Sequence, residues 1–126
     1  MKKVITYGTF DVFHYGHFSL LERAKSFGDH LTVCVSTDKF NTLKKKHSHM
    51  NFAQRVNILK NISLIDDIRP EKNWEQKITD NVDLKIDIFV IGDDWKGHFD
   101  FLKEHCEVRY LPRTITISSS KIREIL

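Results

Sequence analysis

The chain has 126 residues, 40% of them hydrophobic, with only five Gly and two Pro; this suits one domain over 1–126 around one core and excludes a disordered or linker-joined chain. Twenty Lys and Arg against 17 Asp and Glu leave a net charge of +3, too small and too scattered for the basic stripe of a nucleic-acid binder. No apolar run is long enough to cross a membrane, the chain opens on a strand rather than a leader, and Cys34 and Cys106 have neither metal-ligand nor redox spacing, so a cytoplasmic protein with free thiols is expected.

In chain order, Lys3 to Tyr7 (K-V-I-T-Y) reads as a short buried strand ended by Gly8-Thr9-Phe10-Asp11. From His17 onward, Leu20, Leu21, Ala24 and Phe27 share one helical face, and Gly28 stops the helix. His30 to Ser36 is a second central strand, which completes a β-α-β unit with a right-handed crossover. Phe52 to Leu64 predicts a helix with Phe52, Val56, Leu59 and Ile62 inward, and Ile65 to Pro70 a short strand closed by proline. Then follow a helix over Trp74 to Val82, the most strand-like run at Ile86 to Ile91, a short helix at Phe99 to His105 and a strand at Glu107 to Leu111. Ser118 or Ser119 caps a last helix, Lys121 to Leu126.

This alternation predicts an α/β fold: a Rossmann-like open parallel sheet of about five strands with helices on both faces. Ligands of such sheets bind beyond the carboxyl ends of the strands. Four segments end there: Thr9 to His17, Ser36 to Lys46, Gly92 to Trp95, and Pro112 to Ser120.

The first of them carries His14 and His17 where a strand turns into a helix, a place where free amide N–H groups and the helix dipole attract phosphate. With no P-loop lysine and no G-x-G-x-x-G, the imidazoles and backbone must do the gripping. A metal would need further ligands and only Asp11 is at hand, so no protein metal site is expected. Gly8 and Gly16 supply close backbone approach or positive φ, and Thr9-Phe10 brings amides towards the phosphates. The basic residues gather near loops, at Lys44 to Lys46, Arg55, Lys77 and Arg113, as suits a small polyanion; a magnesium triphosphate needs such cations as pyrophosphate leaves. In Gly92-Asp93-Asp94-Trp95 one acid must face the ligand, and a carboxylate accepting from an exocyclic amino group selects cytosine; Trp95 fits core and platform equally. Arg113 to Ser120 offers an arginine, hydroxyls and a helix N-terminus to one anion.

H-Y-G-H after the first strand and R-T-I-T-I-S-S-S before the last helix resemble the two signatures of the cytidylyltransferase-like nucleotidyltransferases. M-K-K-V-I-T-Y-G-T-F-D, S-T-D-K-F-N, P-E-K-N-W-E-Q-K and G-D-D-W-K-G extend the likeness, over nearly the whole chain, to the glycerol-3-phosphate cytidylyltransferases. The resemblance implies transfer of a cytidylyl group from CTP to glycerol 3-phosphate, by direct in-line attack of the acceptor phosphate on the α-phosphorus. CDP-glycerol for a surface polymer such as teichoic acid or capsule, and pyrophosphate, are the products.

It also implies that His14 and His17 contact the phosphates in the transition state, with Lys46 and Arg113 on the triphosphate side. Thr9, Phe10 and Gly16 line the nucleotide pocket, Asp94 lies near cytosine, and Thr114, Ile117, Ser118, Ser119 and Ser120 wrap the nucleotide. Lys44, Lys77 and Asp11 fall on the glycerol phosphate side. Mg²⁺ arrives with CTP, and a homodimer is expected. Alternatives within reach are another phospho-alcohol acceptor (phosphoethanolamine or phosphocholine) and a nucleotide-binding module without catalysis. The chain departs from the family at Ile115-Thr116, where Glu-Gly is usual, and at Ser63, where an arginine usually reaches the nucleotide. The missing cation predicts CTP binding weaker by about 1–3 kcal/mol, with Lys45 or Arg55 as compensating candidates.

Overall fold

A strand covered on both faces has no polar alternation, and Val4 to Tyr7, apolar except for one threonine, takes the middle of the sheet. The computed structural model describes residues 1–112. Its strands are β1 (Lys3–Gly8), β2 (His30–Ser36), β3 (Asp67–Glu71), β4 (Ile88–Gly92) and β5 (Glu107–Leu111); its α-helices are α1 (Tyr15–Ser26), α2 (Asp38–Leu43), α3 (Phe52–Leu59) and α4 (Gln76–Asp83). All five strands are parallel in the order β3-β2-β1-β4-β5, with Val4 of β1 opposite Leu31 on one side and Ile88 on the other. The strand order reverses between β1 and β4, so a crevice opens at their carboxyl ends.

Side chains of a strand alternate between faces, and the core divides accordingly. Val4, Leu31, Val33, Val35, Ile88 and Val90 pack on one face with Leu21 and Ala24 of α1 and Leu59 of α3. Ile5, Tyr7, Cys34, Phe89 and Ile91 pack on the other, with Phe99 and Leu102.

β2 and β5 lie where the sequence predicts them. α1 starts at Tyr15, before the expected His17, because His14 itself is the N-cap. α2 stands where a loop is expected: Thr37 caps it through its hydroxyl, which accepts the Phe40 N–H at 3.1 Å. α3 ends at Leu59, short of Leu64, and Phe99 to His105 forms a 3₁₀ turn over Asp100–Glu104. Arg113 and everything after it, including the expected last helix at Lys121 to Leu126, lie outside the described residues.

Candidate active site

His14 and His17 close the start of α1 against each other. The His14 Nδ1 accepts the Gly16 N–H at 3.0 Å, and the His17 Nδ1 accepts the His14 N–H at 3.2 Å, a reciprocal cap formed by two imidazoles. An Nδ1 that accepts carries no proton, so each neutral ring bears its hydrogen on Nε2. The rings stack at 3.9 Å between centroids, and Phe10 and Phe13 flank His17 at 5.6 and 5.4 Å. Burial, then the His14 and Lys46 charges, push the His17 pKa down to about 4 against the opposing pull of Asp11. At neutral pH His17 is therefore an uncharged N–H donor of fixed tautomer.

The two histidines and Gly16 line a cavity of about 490 Å³, faced across the crevice by Gly92, Asp93 and Asp94 after β4. Thus His14, Gly16, His17 and Asp94 meet around one space, at the switch point between β1 and β4. The cavity is also lined by Leu111 and Pro112 at the end of β5, next to Arg113. Arg113, Thr114, Ile117, Ser118, Ser119 and Ser120 lie outside the described residues, as do Ile115 and Thr116.

A second cavity of about 320 Å³ opens over the ends of β1, β3 and β4. Lys44, Lys45 and Lys46 form its basic side, with Thr9 on its wall. Lys44 ends α2 with its ammonium 4.7 Å above the Phe40 ring; partial burial lowers its pKa while Glu71 opposes, and Lys46 and Lys77 add to the lowering. Lys46 also acts on His17 electrostatically. Lys77 lines this cavity from α4. It is only 4% exposed and is hydrogen-bonded to the equally buried Glu71. Tyr7, Glu71, Trp74 and Phe99 also line the space, and the sequence reading did not place any of them there. Trp95 lines it as well and is 44% exposed, a wall residue rather than core.

Several expectations are corrected. Arg55 is not a loop cation free to compensate for Ser63: it is fully buried. Its guanidinium donates to the carbonyls of Met50, Thr9 and Ser36 at 3.0, 3.0 and 2.7 Å and to the Asp38 carboxylate at 2.8 Å. It is a strut tying the loop after β1 to β2, α2 and the loop before α3. Ser63 sits in the exposed turn between α3 and β3, hence at the amino ends of the strands, away from both cavities.

Asp11 is not on the wall of the lysine cavity. Its carboxylate accepts the backbone N–H groups of His49 and Met50 at 2.7 and 2.9 Å, bonds that hold its pKa below the usual range. Phe10 is buried in the core with φ 54°. The Gly8 backbone passes so close to its ring that an added Cβ would lie 2.9 Å from it, and Gly8 also lines the lysine cavity. Positive φ in this loop falls on Phe10 and Val12, not on Gly8 or Gly16. Thr9 is buried on the wall of the lysine cavity, its hydroxyl accepting from Ser36 at 3.1 Å and its carbonyl from Arg55 at 3.0 Å.

Among the described residues no group of three or more His, Cys, Asp or Glu gathers as a metal site, and no helix is long and apolar enough to cross a membrane. The family model "Cytidylyltransferase-like" matches residues 5–125. A glycerol-3-phosphate cytidylyltransferase of Bacillus spizizenii is 63% identical over 98% of this chain and 96% of its own length. One of Staphylococcus aureus is 52% identical over 100% and 96%. A solved lipopolysaccharide core biosynthesis protein from Thermoplasma volcanium, only 22% identical, shares the fold with a TM-score of 0.73 over 90% of this chain and 97% of that one. With its paired imidazoles at the switch point of a five-stranded parallel sheet, the chain belongs to the cytidylyltransferase-like family and groups within it with the glycerol-3-phosphate cytidylyltransferases.

Proposed function

We propose that the protein transfers a cytidylyl group from CTP to glycerol 3-phosphate, releasing pyrophosphate and CDP-glycerol. The observation that carries this reading is the pair of Nδ1-pinned imidazoles at the mouth of one cavity, electrostatically coupled to a lysine run that lines the next. CTP fits the His14–Asp94 cavity, its amino group donating to the Asp94 carboxylate and its phosphates lying on the start of α1. Glycerol 3-phosphate fits the lysine cavity, its phosphate held by Lys44 and Lys46.

An acceptor phosphate oxygen forms the new bond to the α-phosphorus while the bond to the bridging oxygen breaks and pyrophosphate departs with the electron pair. His14 and His17 donate from Nε2 to oxygens on which charge builds, and their caps fix that aim before substrate arrives. Lys46 adds positive charge on the same side, and Arg113 is assigned there by family likeness. Mg²⁺ would enter with CTP and would supply further charge neutralisation without a dedicated protein cage. The imidazoles suit this division, since both Nδ1 atoms are taken by backbone N–H groups and both Nε2 atoms carry hydrogen.

The setting proposed is the cytoplasm, in keeping with two free cysteines, and the product is assigned to a surface polymer. A homodimer is proposed: Ile78 and Val82 of α4, four residues apart, are 41% and 54% exposed, as apolar residues awaiting a partner are. The deciding assay mixes purified protein, Mg²⁺ and CTP with glycerol 3-phosphate. Pyrophosphate release that requires the acceptor is expected; CTP binding without turnover overturns the assignment. Sedimentation checks the dimer.

A further inference from the structure

We infer that Lys77 is a built-in occupant of a cation cage, and that by filling it the chain refuses cationic phospho-alcohols as acceptors. The inference rests on the acceptor reading above and adds what selects the acceptor. Around the Lys77 ammonium stand the rings of Tyr7 at 4.9 Å, Phe99 at 5.2 Å and Trp74 at 5.7 Å, measured to their centroids. The Glu71 carboxylate bonds to it directly. Lys77 is 4% exposed and Glu71 2%. Three aromatic faces and a buried carboxylate form the chemistry that recognises a small organic cation, yet here the cation comes from α4 of the same chain.

All of these residues line the cavity that also holds Lys44 and Lys46, so an acceptor gripped there by its phosphate points its alcohol portion at an already satisfied cage. A second positive charge at that end would meet the Lys77 ammonium with the Tyr7, Phe99 and Trp74 rings and the Glu71 carboxylate already engaged, and desolvation would make the repulsion costly. A neutral polyol meets no such repulsion. Its hydroxyls can accept from an ammonium, which has three N–H donors, and can donate to the carboxylate. Lys77 thus selects by occupation, a repulsive element beside the attractive lysines.

The test compares kcat/KM for phosphocholine and phosphoethanolamine with that for glycerol 3-phosphate, by pyrophosphate release at saturating CTP. Lys77→Met vacates the cage but keeps Glu71; Glu71→Gln with Lys77→Met vacates it without leaving a buried charge. Melting curves and CTP binding report folding. The expected wild-type preference for glycerol 3-phosphate is at least a hundredfold. Lys77→Met should shift the ratio towards the cationic acceptors at least a hundredfold, and the double variant less, because the carboxylate is gone. A wild type that uses a cationic acceptor within tenfold of glycerol 3-phosphate overturns the proposal. So does a folded Lys77→Met protein whose ratio moves less than threefold, and so does loss of cooperative melting in both variants, which would assign Lys77 to folding instead. If the wild type gives no pyrophosphate with glycerol 3-phosphate, the acceptor reading itself has failed; turnover with an unshifted ratio removes only the cage.

Discussion

The two cavities at the carboxyl edge of the sheet are built in opposite ways. The histidine corner of the first cavity draws on residues within a few positions of one another: each imidazole accepts a backbone N–H of its own helix start, the two rings stack, and Phe10 and Phe13 flank His17. The lysine cavity collects Tyr7, Lys44, Glu71, Lys77 and Phe99 from five separate segments of the chain, and its polar centre is a buried ion pair. Groups of the first kind can be removed with little harm to the fold, because each contributes only a cap. Groups of the second kind serve site and core together, so function and stability should fall in parallel there.

The sharpest way to break that contrast is His17→Ala. Turnover at saturating substrates should drop by roughly 10²–10⁴-fold, while denaturant melts lose only about 1 kcal/mol from the cap; a small kinetic effect would remove the imidazole from the mechanism. Arg55→Ala tests the other extreme, where a side chain far from the chemistry holds four segments. It should cost about 3–5 kcal/mol in urea unfolding, because carbonyls and a carboxylate lose a buried cation. Between these, Lys44→Ala should raise the KM for glycerol 3-phosphate roughly tenfold to a hundredfold, as a charged hydrogen bond worth about 1.5–3 kcal/mol is lost. The KM for CTP should move less.

Asp94→Asn should narrow the preference for CTP over UTP by about 1–3 kcal/mol, read from competing nucleotides. The smallest expected effect is on pH. The His17 pKa, about 4 when folded, lies below its ordinary value of 6.5, so the native state takes up its proton later than the unfolded chain. The stability linked to this group is complete above about pH 6.5 and is lost as the pH falls towards 4. Melts of the parent protein should steepen in their pH dependence over that window, and those of His17→Ala should not.

How much was legible follows the same division. β2 can be read because an apolar and β-branched run fixes it, and β5 because Val108, Tyr110 and Leu111 alternate with or follow charged residues in a short segment; His14, His17 and Asp94, which the structure brings to one cavity, stand out because they sit in short motifs beside strand ends. α2 escaped because its six residues show no lasting period, and its Thr37 cap is a single hydroxyl. Arg55 was misread because its partners are chiefly main-chain carbonyls from distant segments, which no residue pattern encodes. Glu71 and Lys77 pair from a strand end to a helix, a spacing that matches neither the strand nor the helix period. Ser63 showed as a departure from the family, but only the three-dimensional arrangement puts it at the far end of the sheet.

The clasp between Asp11 and the N–H groups of His49 and Met50 bears on how quickly substrate can be captured. Together with Asp38, which accepts the Phe52 N–H at 3.0 Å, it fastens both sides of the segment carrying the three lysines. Fixing a loop costs about 1–2 kcal/mol of backbone entropy per residue, and here that is spent once, during folding. Under the proposed assignment, acceptor association on this side should be steered by charge and should respond to ionic strength more than to solvent viscosity.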